Sequence, residues 1–415
     1  MRKTIFFILI AGSLSAHASD GRLMAAAAND QVPSRTIAVP VPAGEFEHKS
    51  VSFSWALDPV AGLEAQAPFV AESREFWTQV DSSQLARGFS INTTAPGALI
   101  RVSPIGSAAA ATSETMSIGR NGTPIAKTQS FAHTANTEQL KQAGMDVSHG
   151  TAVVQLNPGL GKGQFTLAMK KANGRYLVHV YEPESPYALS AHTSRPNLLA
   201  GGQLDVAARL GTQDSALADT QVSGLLVAPD GQSFDMSFSV GKDGIARSSA
   251  PLPVQASNQP GLWEVQVFAG GVAADGSVQR DARTAISVTQ PTASLEGGYG
   301  FDARSLHFTL PVQVAAEGRY ELRGTLYATG SNGLASPVSE AHSAAWFAPG
   351  QHPLELAFDR THVPAGFGAP FELRNIELTD QTRMGKLETR ELAVRTGNGV
   401  ADRNRERLPR NASVE

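Results

Sequence analysis

The stretch GLWEVQVFAGG, Gly261 to Gly271, alternates strictly after its opening glycine. Trp263, Val265 and Val267 fall on one side of an extended chain, and Glu264 and Gln266 fall on the other. That is the period of a β-strand with one dry face and one wet face. The glycine makes the turn, the aromatic enters the core at the start of the strand, and two apolar residues continue the same face. Trp263 is therefore expected to fill space between two packed sheets. The same form recurs at Gly163-Gln-Phe165-Thr-Leu167-Ala-Met169 and at Gly318-Arg-Tyr320-Glu-Leu322. The spacings are unequal, so this is a shared construction rule and not a fixed-period repeat array.

Working outward, the surrounding region 186–289 reads as seven short strands: YALSAH, QLDVAARL, QVSGLLVA, SFDMSFSV, IARSSA, GLWEVQVF and RTAISV. Turn chemistry punctuates them at Pro229-Asp230-Gly231, Lys242-Asp243-Gly244 and Ala274-Asp275-Gly276. Seven strands in about 100 residues predict an immunoglobulin-like sandwich. Region 290–397 repeats the style with SLHFTLPVQV, RYELRGTLYA, SAAWFA, HPLELAFD, PFELRNIELTD and ELAVRT, and predicts a second sandwich. Region 36–183 is less regular. TIAVPVPAG, SVSFSWAL, ALIRVSPI, TAVVQLNP, GQFTLAMK and YLVHVYEP read as strands, and SREFWTQV fits helix or strand. TEQLKQAG has helical spacing with Thr137 as its cap. The fold class expected is mostly β: an irregular β-rich N-terminal domain with small helices, followed by two immunoglobulin-like β-sandwiches.

Both ends read differently. Arg2 and Lys3, the apolar run Thr4 to Leu14, and the small-x-small site Ala16-His17-Ala18 form a secretory signal peptide over 1–18, with Ser19 as the mature N-terminus. The apolar run is shorter than the roughly 20 residues a bilayer requires, so no membrane insertion is expected after cleavage. Residues 19–35 are small and polar and predict a flexible leader. Residues 398–415 are charged and lack aromatics, and predict a disordered tail. Export is expected to place the chain in the periplasm or outside the cell.

Composition narrows the chemistry. The 415 residues carry 39 glycines and 24 prolines, with only 17% charged residues. The absence of cysteine excludes disulfides, thiol nucleophiles, thiolate metal sites and a lipid-modified N-terminal cysteine. Each domain must then be stabilised by core burial alone. The formal charge of −4 becomes more negative without Arg2 and Lys3, and no basic stripe appears, so nucleic acid is not an expected partner. No HExxH, GxSxG, phosphate-loop or dinucleotide motif is present. Ser148-His149 puts a hydroxyl beside an imidazole, but neighbours on a strand face opposite ways. His342, His352, Asp359 and His362 are the weak candidates for a metal site, at a spacing that matches no metal motif. The loop Thr379 to Gly385 reads either as a binding loop or as a structured hairpin turn.

Two stretches carry a family resemblance: SREFWTQVDSSQLARGFSINTTAPGALIRVSPI in the first domain and FELRNIELTDQTRMGKLETRE in the third. Together with the domain order, they resemble the domain-of-unknown-function 4785 family of secreted Gram-negative proteins. That resemblance implies immunoglobulin-like domains and an extracytoplasmic setting, and it carries no activity and no functional residues. The expectation is an exported, non-enzymatic module without cofactors that binds a protein or glycan. The rivals are a metal-dependent hydrolase using the third-domain histidines and a structural spacer.

Overall fold

A computed structural model describes residues 19–397 apart from 62, 64–66, 258 and 275. The signal peptide, the charged tail and Asp275 lie outside the described residues. The chain folds as two compact units, one built from the N-terminal 66 residues with residues 289 onward, the other from 67–288.

The second unit holds the opening stretch. Trp263–Ala273 is the central strand of a five-stranded sheet ordered Asn197–Leu199, Gly276–Thr289, Trp263–Ala273, Gln221–Val227, Ser233–Ser237. Facing it, Ala188–Thr193, Gln203–Gly211 and Ala246–Pro251 form the body of the other sheet. This three-against-four distribution of the main strands is that of an immunoglobulin-like sandwich. Trp263, Val265 and Val267 are buried in the core between the sheets, with Trp263 only 3% exposed. Gly261 has φ of 146°, and a Cβ there would press on Pro229, so the residue that starts the strand has to be glycine. The turns at Gly231 and Gly244 also take positive φ, as their sequences require.

Residues 75–181 of the same unit form two antiparallel sheets around a separate core that includes Phe165, Leu167, Ile100, Tyr176 and Val178. The ambiguous SREFWTQV is a strand, Glu75–Asp81, followed by the helix Ser82–Arg87. Asp81 and Gln84 close a reciprocal capping box that ends the strand and starts the helix. In the helix Thr137–Gln142 the cap is Asn136 and not Thr137. Asn136 accepts from the Gln139 amide, while Thr137 donates its hydroxyl to the Thr151 carbonyl.

The first unit corrects two expectations. The leader 19–35 is not a free segment: Ser19–Arg22 pairs antiparallel with Gly298–Asp302, and Gln31 bridges to Thr389. SVSFSWAL does not join the first domain either, because Val51–Ala56 pairs along Ala335–Phe347 as the edge strand of the third-domain sheet. The reason is backbone hydrogen bonding, which composition does not report. Arginines of the sandwich hold the segment by its carbonyls: Arg390 donates to Met24 at 2.9 Å, Arg319 to Glu47 and Lys49 at 3.0 and 2.7 Å, and Arg383 to Val39 and Pro40 at 3.3 and 3.1 Å. The sandwich core beneath contains Tyr320, Leu322, Phe308 and Phe358.

Candidate binding face

On Val51–Ala56 the odd-numbered residues Val51, Phe53 and Trp55 face solvent, 40%, 53% and 39% exposed, which is unusual for three large apolar side chains on one edge strand. Register sets Phe53 opposite His342, and Trp55 opposite Glu340. The Phe53, Trp55 and His342 rings are within 9–29° of parallel, with centroids 5.0–5.8 Å apart. Three nearly equal separations make a triangle, so the rings tile the face and do not form a column. Two positions along the same side of Ala335–Phe347 lies Trp346, which His48 stacks upon at 3.9 Å and Phe46 approaches at 5.9 Å. At about 3.3 Å per residue the aromatic strip from Glu340 to Trp346 runs for roughly 20 Å.

Polar groups border the rings. His342 is held by Glu321 at 2.6 Å and by Glu340 at 3.1 Å. Arg323 reaches Glu377 at 3.1 Å, and the Trp346 indole donates to Glu317 at 3.0 Å. The arrangement offers flat apolar surface edged by hydrogen-bond acceptors.

The four metal candidates are not brought together. His342 belongs to the aromatic strip. His352 bonds the Ala348 carbonyl and stacks on Phe347. Asp359 caps the short turn Arg360–His362 through Thr361, whose hydrogen bonds hold its carboxyl below the usual range. His362 meets the Ser339 hydroxyl at 3.1 Å. Among the described residues no group of three or more His, Cys, Asp or Glu side chains could hold a metal ion. Ser148 and His149 lie in the loop before Ala152–Leu156, not on a strand. The segment Thr379 to Gly385 is a structured hairpin turn, with buried Asp380 accepting from Arg383 and Thr292.

Matches to other proteins follow the same architecture. Residues 42–182 match the N-terminal domain, and residues 292–396 the C-terminal domain, of the domain of unknown function DUF4785. The chain belongs to the DUF4785 family. A crystal structure of a DUF4785 family protein from Legionella pneumophila is 22% identical, with a TM-score of 0.66 over 88% of this chain and 98% of that one, and shows the shared fold. Native alpha-2-macroglobulin of E. coli (10% identity, TM-score 0.24, 72% of this chain and 20% of that one) is too distant to carry an argument. The same holds for a tandem repeat from the extending region of a large adhesion protein (12%, 0.16, 79% and 74%). No match was found among curated proteins. Of the DUF4785 N-terminal segment, Val51–Ala56 is the part that carries Phe53 and Trp55 into the third-domain sheet.

Sequence reasoning missed a second feature, inside the 67–288 unit. Arg280 and Glu182, each 1% exposed, form an ion pair at 2.6 Å. Arg280 also donates to Ser185, Thr94 and the Tyr187 carbonyl, and Glu182 accepts from the Thr94 and Ala95 amides. The pair ties the last strand of the first domain to the following sandwich. The next residue, Asp281, accepts from the Trp77 amide at 2.7 Å, blunting the open edge of Glu75–Asp81.

Burial pushes the Asp281 carboxyl up from 3.8 to about 6. The folded protein thus holds this proton more tightly than the unfolded chain, a stability contribution present below about pH 4 and lost as pH rises through 6. Asp281→Asn keeps an acceptor without the charge. It should exceed wild-type stability at pH 8 by about 1–3 kcal/mol and match it at pH 4 in urea titrations. A variant less stable than wild type at pH 8 would show that the ionised carboxylate is favourable there.

Proposed function

We propose that the protein is an exported, non-enzymatic glycan-binding protein whose ligand lies along the aromatic strip of the third sandwich. The observation that carries this is the exposed pair Phe53 and Trp55, near-parallel to the partly buried ring of His342, with carboxylates at the border. A pyranose ring has an apolar C–H face and a rim of hydroxyls. The first suits the rings and the second suits Glu321 and Glu340. The centroid spacing is close to the advance of one hexose in an extended β-linked chain, and the strip is long enough for several. Export rests on the N-terminal sequence, which would leave Ser19, the first residue of a paired strand, as the mature N-terminus.

The full-length mature chain should co-sediment with insoluble β-linked polysaccharide such as cellulose, chitin or peptidoglycan sacculi. The double substitution Phe53→Ala, Trp55→Ala should abolish retention while changing stability by no more than about 1 kcal/mol, because both side chains lie on the surface of an edge strand and outside the sandwich core. Equal retention of wild type and variant, or none by wild type, would overturn the reading. Fractionation of the producing cells should place the protein in the periplasm or medium, and a cytoplasmic pool of full-length chain would refute export.

A further inference from the structure

The wet face of the opening strand forms the floor of a groove of about 650 Å³. Phe268, Gly270 and Val272 point outward there, alternating with inward Val267 and Ala269. Gln221 and Gln279 flank Gly270 in register, and Asp281 stands beside Phe268. The far wall is the first domain's edge strand, with Phe76 and Trp77. Gly270 makes the depression. A Cβ built on it would meet nothing nearer than the Val278 carbonyl at 3.8 Å, so neither packing nor positive φ requires a glycine. Its consequence is open space.

The lining contains two carboxylates, Asp219 and Asp281, and no cation. One Asp281 oxygen accepts from the Trp77 amide, and the other has no hydrogen-bond partner among the described residues. Two cations act on the Asp281 charge without a hydrogen bond to it: Arg280, paired with Glu182, and Arg283, which meets Glu264 at 3.5 Å. Arg101 and Arg283 lie over the Trp77 ring, with centroid distances of 4.4 and 5.7 Å. Glu75, which opposes its charge, is bonded to His179. A half-buried carboxylate with one free oxygen, set against aromatic and aliphatic walls, complements a cation on an apolar stem. A single free oxygen suits a compact ammonium better than the two-pronged guanidinium.

We propose that this groove binds a primary ammonium group on an aliphatic stem, either a lysine side chain of a peptide or a free alkylamine. It is separate from the aromatic strip and stands whatever that strip binds. The test is calorimetric titration of the full-length mature chain with two probes, n-hexylamine and a capped tripeptide with lysine at its centre. Saturable binding of at least one at pH 8 is expected, weakened at least about tenfold at pH 4.5, where Asp281 takes up its proton. The probe that binds identifies the source of the amine.

Gly270→Leu should fill the groove and abolish binding with an unchanged unfolding curve. Asp281→Asn should abolish binding as well, and Phe53→Ala with Trp55→Ala should leave it intact. No binding of either probe at pH 8, or binding undiminished in Gly270→Leu, would overturn the proposal.

Discussion

Arg280→Ala is expected to lower the unfolding free energy of the 67–288 unit by about 3–5 kcal/mol. The substitution removes one member of a buried ion pair and leaves Glu182 charged in a site without solvent, with the Thr94 and Ala95 amides and the Thr94 hydroxyl but no cation to stabilise it. It also removes the side chain that bonds Ser185, Thr94 and the Tyr187 carbonyl at once. Glu182→Gln should be destabilising for the converse reason, an unpaired buried guanidinium. The double variant Arg280→Met, Glu182→Leu should lose less than either single change, since it buries no uncompensated charge. Urea titration followed by circular dichroism measures all three. A single-variant loss under about 1 kcal/mol would mean that water reaches the pair.

Trp263→Ala should cost a similar amount, about 3–5 kcal/mol, by a different mechanism. Trp263 is buried in the core of the second sandwich near Phe234, whose ring centroid is 6.1 Å away, and its loss leaves a cavity between the sheets. With no cysteine in the chain, no covalent link limits the damage. The far smaller change expected for Phe53→Ala with Trp55→Ala separates a core aromatic from a surface one on the same melting assay. A Trp263→Ala protein that melts within about 0.5 kcal/mol of wild type would place the dry face of this strand wrongly, and Val265 and Val267 with it.

Alternation made the core strands legible. Phe165, Leu167 and Met169, like Tyr320 and Leu322, are buried where the pattern places them. What alternation could not show is which strand pairs with which. Val51–Ala56 looks like a strand wherever it lies, and only its partner Ala335–Phe347, nearly 300 residues away in sequence, turns Phe53, Trp55 and His342 into one surface. The leader 19–35 differs for a related reason: its pairing with Gly298–Asp302 and the bond from Arg390 to the Met24 carbonyl use backbone groups, which every residue has. Arg280 did leave a trace. In VQRDARTAI it occupies the inward set with Val278, Ala282 and Ile286, and a charge on a dry face requires a buried partner. The histidine cluster failed because proximity in sequence did not become proximity of side chains across strands and turns.

The aromatic strip is tested most directly by the indole N–H resonances of the four tryptophans, Trp55, Trp77, Trp263 and Trp346. Nitrogen-15-labelled full-length chain would be titrated with soluble β-linked hexaoses of glucose and of N-acetylglucosamine, with Trp55 assigned through Trp55→Phe. Saturable movement of the Trp55 resonance with at least one hexaose, while the buried Trp263 stays in place, is the predicted result. A Trp55 resonance that moves with neither sugar would contradict it.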